Sequence, residues 1–247
     1  MARYLSVNDI INRVALEVGL LPSSSPVTDT DETFVQLVGL LNSSGQELCE
    51  LNDWQILQKP FEINTDVGQD GTSGKYDLPT DFNYFIDQTG WDRKNDVPLA
   101  GPLSPQDWTY LEGRDLVSST IYVSYRVVEG DIWMYPQPTP DDMQLTFEYI
   151  SRNWLTEQGQ TTPNRDTIGA GNDTCVLDPL LSIKFLKLKF LQAKGFDYSA
   201  AAMEFDTLLQ SRIGKSVGAP ILSASRTRGG MPYLQTYGST PDSGYGR

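Results

Sequence analysis

The sequence contains no histidine. That absence removes Ser-His-Asp and Cys-His nucleophile systems, histidine-liganded metals and imidazole acid–base catalysis, while carboxylate- or lysine-based chemistry stays open. Cysteine is nearly as scarce. Cys49 and Cys175 are far apart and lack zinc-type spacing, so they read as two buried, reduced thiols. No apolar run approaches the roughly 18 residues of a membrane span. Met1-Ala2-Arg3-Tyr4 leads straight into a helix pattern, so neither membrane insertion nor a signal peptide is expected. Positive charge is also short: 19 Lys and Arg stand against 32 Asp and Glu, a net charge of −13. The deficit is uneven. Residues 1–58 carry a net −6, residues 59–176 a net −11, and residues 177–247 a net +4. The bulk of the protein should therefore repel DNA phosphates, while the C-terminal third suits an acidic partner surface.

What is present is organised around residues 177–214. Asp178-Pro179 reads as an N-cap followed by proline at the first helical position. Leu180, Leu181, Ile183, Phe185, Leu186, Leu188, Phe190 and Leu191 make an apolar arc wider than one stripe, so this helix needs neighbours on several sides. Gly195 stops it, Asp197 can cap the next helix, and Ala201, Phe205, Leu208, Leu209 and Ile213 follow at helical spacing. The preceding segment reads as β-rich, which leaves the N-terminus to supply the packing partners. There Ser6 caps one helix and Asp29 a second, the latter expected to continue to about Leu57 and to end at Pro60. Gly39 and Gly45 should either bend it or admit another backbone.

From Phe61 the period changes to alternation. Tyr84-Phe85-Ile86 and residues 143–149 read as strands, Glu129-Gly130 as a hairpin turn, Ser104-Pro105 as the start of a short helix, and residues 156–176 as a loop. The expected fold is α+β. It comprises a discontinuous helical bundle from residues 1–58 and 177–214, an antiparallel β-rich insertion at 59–176, and an extended C-terminal arm at 215–247.

No catalytic, metal or cofactor constellation stands out. The loop Asp66 to Gly71 lacks the ligand set of a calcium loop. Asp141-Asp142 and Asp92 with Asp96 read as solvated turn acids, although a carboxylate pair is conceivable. Lys184, Lys187, Lys189 and Lys194 read as either a solvated face or an acidic-partner face. Trp91, Trp108, Trp133 and Trp154 read as core, or in part as interface anchors.

Several strings carry a resemblance. Tyr76-Asp77-Leu78-Pro79-Thr80-Asp81-Phe82 precedes Trp91-Asp92-Arg93. Pro98-Leu99-Ala100-Gly101-Pro102-Leu103-Ser104-Pro105-Gln106-Asp107-Trp108, Tyr149-Ile150-Ser151-Arg152-Asn153-Trp154 and Ala193-Lys194-Gly195-Phe196-Asp197-Tyr198 follow. In this order, from about residue 4 to residue 215, the chain resembles the head-to-tail adaptor (connector) proteins of tailed bacteriophages. The resemblance implies a structural, non-enzymatic virion protein of helical bundle and β insertion, with no cofactor. It further implies a homo-oligomeric ring of about 12 copies in the neck, bound to the portal protein and to a tail or nozzle protein, with DNA passing through without specific binding. Assembly would take place in the host cytoplasm. The alternatives are another neck or head-completion protein and a virion-associated carboxylate glycosidase. In the arm, Arg226, Arg228, Tyr233, Leu234 and Tyr237 are the expected portal contacts, because Arg and Tyr serve as interface anchors. Trp91, Trp108 and Trp133 are the candidate tail or subunit contacts.

Overall fold

The structure, a computed structural model, describes residues 4–64, 74–113, 123–136 and 144–216. Among them, five α-helices and three antiparallel sheets make a mixed α+β fold. The chain opens with β1 (Leu5–Ser6), α1 (Val7–Glu17) and α2 (Glu32–Glu50). Next come β2 (Gln58–Asn64), β3 (Lys75–Asp77), β4 (Phe82–Phe85), β5 (Trp91–Asp92), β6 (Val97–Pro98) and α3 (Pro105–Gly113). It continues through β7 (Ser124–Val128), β8 (Asp131–Tyr135), β9 (Gln144–Ser151), β10 (Leu155–Thr156) and β11 (Thr174–Cys175), and closes with α4 (Pro179–Lys194) and α5 (Ser199–Ser216).

Local chemistry sets most helix ends. The Ser6 hydroxyl accepts from the Asp9 backbone N–H and donates to the Asp9 carboxylate, at 3.2 and 2.7 Å. Asp178 accepts from Leu181 N–H at 3.0 Å with Pro179 behind it, and Gly195 closes α4 in the left-handed region at φ 72°. The second helix departs from expectation at both ends. Its cap is Asp31, which accepts from Thr33 N–H, while Asp29 accepts from Asp31 N–H one step earlier. It stops at Glu50, and a 3-10 turn at Gln55–Leu57 leads into β2. Pro60 therefore sits in a strand, not at a helix end. It is tolerated because, among the described residues, β2 pairs with β9 alone and its other edge carries no ladder.

Helix α4 is wrapped on several sides, as its wide apolar arc requires: it packs against α1, α2 and α5. One core cluster joins Ile10, Leu37, Leu41, Phe185, Leu186 and Phe205 with Ile150, Trp154, Leu155 and Cys175. The rings of Phe185 and Phe205 stack at 4.5 Å. The last group comes from outside the helices, so the cluster is not built from helices alone. Part of the segment read as a loop forms β11, which pairs with both β1 and β10 and ties the chain start to the start of α4. Helix α2 stays continuous at Gly39 and Gly45. Nothing lies within 4 Å of a methyl group built at Gly39, whereas one at Gly45 would meet the Trp154 ring at 2.3 Å. A side chain, not a backbone, uses that gap.

A second cluster, including Tyr76, Tyr125, Ile132, Leu145 and Phe147, lies between the larger sheet (β2-β9-β5-β6, with β4 also on β9) and the sheet β3-β8-β7. Strand β9 serves both clusters. Leu145 and Phe147 point to the second, and Ile150, on the opposite face of the pleat, points to the helices. The β7–β8 hairpin turns at Glu129 and Gly130, both at positive φ (57° and 91°), the geometry that matches strand twist in a two-residue turn.

Candidate interaction surface

The strings that carry the resemblance meet in space. Asp81, at 14% side-chain exposure, accepts from Lys59 Nζ at 2.5 Å, from the Ser151 hydroxyl at 2.7 Å and from the Tyr149 hydroxyl at 2.9 Å. Its backbone carbonyl accepts from Arg152 N–H at 2.9 Å. Burial disfavours the charged carboxylate, but the hydrogen bonds from Lys59, Ser151 and Tyr149 outweigh it and hold Asp81 below its ordinary 3.8. Burial and the Asp81 charge push the Tyr149 phenol up. This knot joins β2, the approach to β4 and the end of β9 where the sheet meets the helices. Sequence reading missed it as a unit, although its Asp81, Tyr149 and Ser151 lie in the quoted strings.

The string 98–105 lies along the edge of β7: Ala100 N–H donates to Val123 O, Tyr125 N–H to Ala100 O, and Leu103 N–H to Tyr125 O. Gly101 is required there. Its φ is 153°, and a Cβ would sit 2.5 Å from the Tyr125 carbonyl.

The tryptophans separate. Trp91 lies in β5 of the larger sheet. Trp108 and Trp133 come together edge to face at 6.5 Å, with the Arg126 guanidinium 4.6 Å from one ring and 4.5 Å from the other, and Lys75 Nζ 3.8 Å above Trp133. Lys75, Trp133 and Arg126 are cross-strand neighbours on β3, β8 and β7, so the pairing register itself builds this cation–aromatic row. Trp108 is 3% exposed and donates to Glu112 at 2.8 Å; Trp133 is half-buried. Trp154 is core and donates to the Asp166 carbonyl at 2.8 Å.

The lysines of α4 reach neighbouring helices. Lys187 bonds Glu17 of α1 at 2.9 Å, Lys184 reaches Glu17 and Glu204 of α5, and Lys189 pairs with Glu47 of α2 at 2.6 Å. These side chains are internal clamps, a role neither sequence reading anticipated. Lys194 lies 5.5 Å from the Phe190 ring centre.

Of the acids weighed for chemistry, Asp92 is 3% exposed and organises its own turn. It accepts from Lys94 N–H at 3.0 Å and from the Asn95 side chain at 2.7 Å. Asp66, Asp141 and Asp142 lie outside the described residues, as do Arg226, Arg228, Tyr233, Leu234 and Tyr237 of the arm. Burial pushes the Cys49 thiol up to about 12 and the Cys175 thiol up to about 11, which keeps both unreactive. Among the described residues no helix is long and apolar enough to cross a membrane, and no cluster of three or more His, Cys, Asp or Glu residues could hold a metal ion.

The sequence from residue 5 to residue 231 is matched by the family model of the SU10 adaptor protein, a phage head–tail adaptor. The chain belongs to the SU10 adaptor protein family. No curated protein matches it. As a member it is a phage structural adaptor, a class that works in the virion neck through contacts with portal and tail proteins. The family match extends past α5 to residue 231. It takes in Arg226 and Arg228 and stops short of Tyr233, Leu234 and Tyr237.

Proposed function

We propose that this SU10 adaptor assembles in about a dozen copies as a ring beneath the portal, carries the tail or nozzle on its other side and continues the DNA channel. The observation that carries this reading is the extent of the family match, which covers both helix pairs, the β part and the beginning of the arm. The helices from the two ends of the sequence act as one bundle, and the β part projects from it. The arm binds the portal through Arg226, Arg228, Tyr233, Leu234 and Tyr237. Trp91 and Trp133 mark contacts to the tail or to the neighbouring subunit; Trp108, expected beside them, is 3% exposed and backs Trp133 from inside. A channel through such a ring needs walls that do not hold DNA, and residues 59–176, at net −11, suit that purpose.

Native mass measurement of the purified protein, alone and mixed with portal, tests the reading. The expected result is a portal-dependent complex containing about a dozen copies. One or two copies per neck, seen by electron microscopy of virions, would refute the ring. Submicromolar duplex affinity at physiological salt would refute the non-binding channel.

A further inference from the structure

Among the described residues, strand β4 pairs with β9 and carries no ladder on its other edge. The register sets which groups face that open edge. Ile86 N–H donates to Glu148 O on the β9 side at 2.9 Å, so by the alternation of an antiparallel strand the Phe85 N–H and C=O point the other way. A bulge between Phe82 and Tyr84 brings Phe82 and Phe85 to one face, their rings 4.7 Å apart. Beside the edge lies an open groove of about 490 Å³, lined by these two half-buried rings and, from the segment along β7 and β7 itself, by Pro102, Leu103 and Val127. Asp87 stands on its rim, exposed and in no ion pair among the described residues. Asn83 also lines a second cleft, of about 280 Å³, with Glu50, Arg152 and Asp166. There Arg152 and Asp166 are 3.6 Å apart, which leaves Glu50 as the unmatched charge.

We propose that β4 is the docking edge for an extended segment of a partner protein, which adds antiparallel as a further strand, sets an apolar side chain in the groove and brings basic residues to Asp87 and Glu50. Three features fix that chemistry. The outward N–H and C=O of Phe85 exchange both hydrogen bonds with a single residue of an antiparallel strand, whereas a helix has already spent its backbone groups and cannot answer them. The groove walls are aromatic and aliphatic, so the inward residue of the added strand is apolar and its neighbours face away. The two charges at the ends of β4 that lack a cation are both carboxylates, within a part of the chain at net −11, so the segment is basic and a nucleic acid is repelled. The bulge shortens the open edge to little more than Phe85, so the added strand is short and the side-chain contacts decide which segment binds. The edge is distinct from the Trp108–Trp133 pair and from the arm. Its docking does not depend on how many copies form a ring, so it stands or falls separately from that assembly.

The test uses the full-length chain and a fluorescent probe peptide that alternates valine and threonine between terminal arginines. In anisotropy titrations the probe should bind at least about fivefold more tightly than the same peptide with terminal glutamates, and Asp87→Lys should lower that ratio at least about threefold. Bound probe should slow hydrogen exchange of the Phe85 amide, read by NMR, at least about tenfold, while the Ile86 amide, already bonded to Glu148 O, stays as it was. No binding at millimolar probe, equal binding of the acidic peptide, or binding that leaves the Phe85 amide unprotected would overturn the proposal. In a second measurement, hydrogen exchange of residues 82–86 is compared between the isolated chain and intact virions. Slower exchange in virions is expected; equal exchange would show that the edge stays open after assembly and would overturn the proposal as well.

Discussion

Replacing Gly45 with alanine should destabilise the protein, although alanine is the better helix former. Gly45 lies inside α2, where Gly→Ala ordinarily gains about 1 kcal/mol. Here the added methyl would sit 2.3 Å from Cε2 and Cζ2 of Trp154 and 2.6 Å from its Cδ2, more than an ångström inside ordinary contact. Trp154 cannot yield easily. It is 0% exposed, and its indole N–H is committed to the Asp166 carbonyl at 2.8 Å. Overpacking of this kind costs about 1–3 kcal/mol, and losing the hydrogen bond about 1 kcal/mol more. After the helix gain is subtracted, the net loss should be about 1–3 kcal/mol. Gly39 provides the internal control, since it is in the same helix with nothing within 4 Å of the new methyl. Gly39→Ala should stabilise by up to about 1 kcal/mol. In scanning calorimetry the two variants should move Tm in opposite directions, by about 2–4 °C per kcal/mol for a chain of this size. In a Trp154→Phe background the cost of Gly45→Ala should shrink by about 1 kcal/mol or more. Equal stabilisation by both alanines, or no coupling to Trp154, would refute the packing argument.

Asp81→Ala should cost about 3 kcal/mol, because it strands the Lys59 ammonium and two hydroxyls where sheet and helices join; urea denaturation reads this directly. Acid should weaken the fold. For Glu17, burial opposes ionisation but the bonds and charges of Lys187 and Lys184 outweigh it, so its pKa, like that of Asp81, lies below the ordinary value. Both contributions are complete above the ordinary values of 4.5 and 3.8 and are lost as pH falls through the lower folded-state values, so Tm should drop below about pH 4, and less steeply in Lys187→Gln. At the alkaline end, Lys184 is raised above its ordinary 10.5, chiefly by its bond to Glu204, so its contribution is present below 10.5 and fades as pH climbs past the raised value. Lys189→Ala should cost no more than about 1 kcal/mol, since its pair with Glu47 is solvent-facing; a larger loss in a denaturant titration would mean the clamp is more than a surface pair.

What the sequence determined by itself is what local physics controls. Asp178-Pro179 and Gly195 mark the ends of α4 because the groups that satisfy or interrupt the backbone are neighbours along the chain. Glu129-Gly130 marks a hairpin for the same reason, since Gly130 readily takes the positive φ that a two-residue turn requires, and Glu129 is carried into it at φ 57°. The breadth of the apolar arc on α4 announces that it is surrounded, but not by which helices. The ordered strings identify the family without saying that Asp81, Tyr149 and Ser151 close on one another. Asp31 displaces Asp29 as the cap because both satisfy the local pattern and the packing around Ser23 engages Asp29, whose carboxylate accepts from that hydroxyl at 2.6 Å. Only the tertiary structure reveals that Gly45 faces an indole 109 positions away, that three lysines clamp three helices, and that residues read as a loop supply β11 at the chain's beginning. Each of these is a contact between distant residues, and its energy depends on a separation in space that spacing along the chain does not encode.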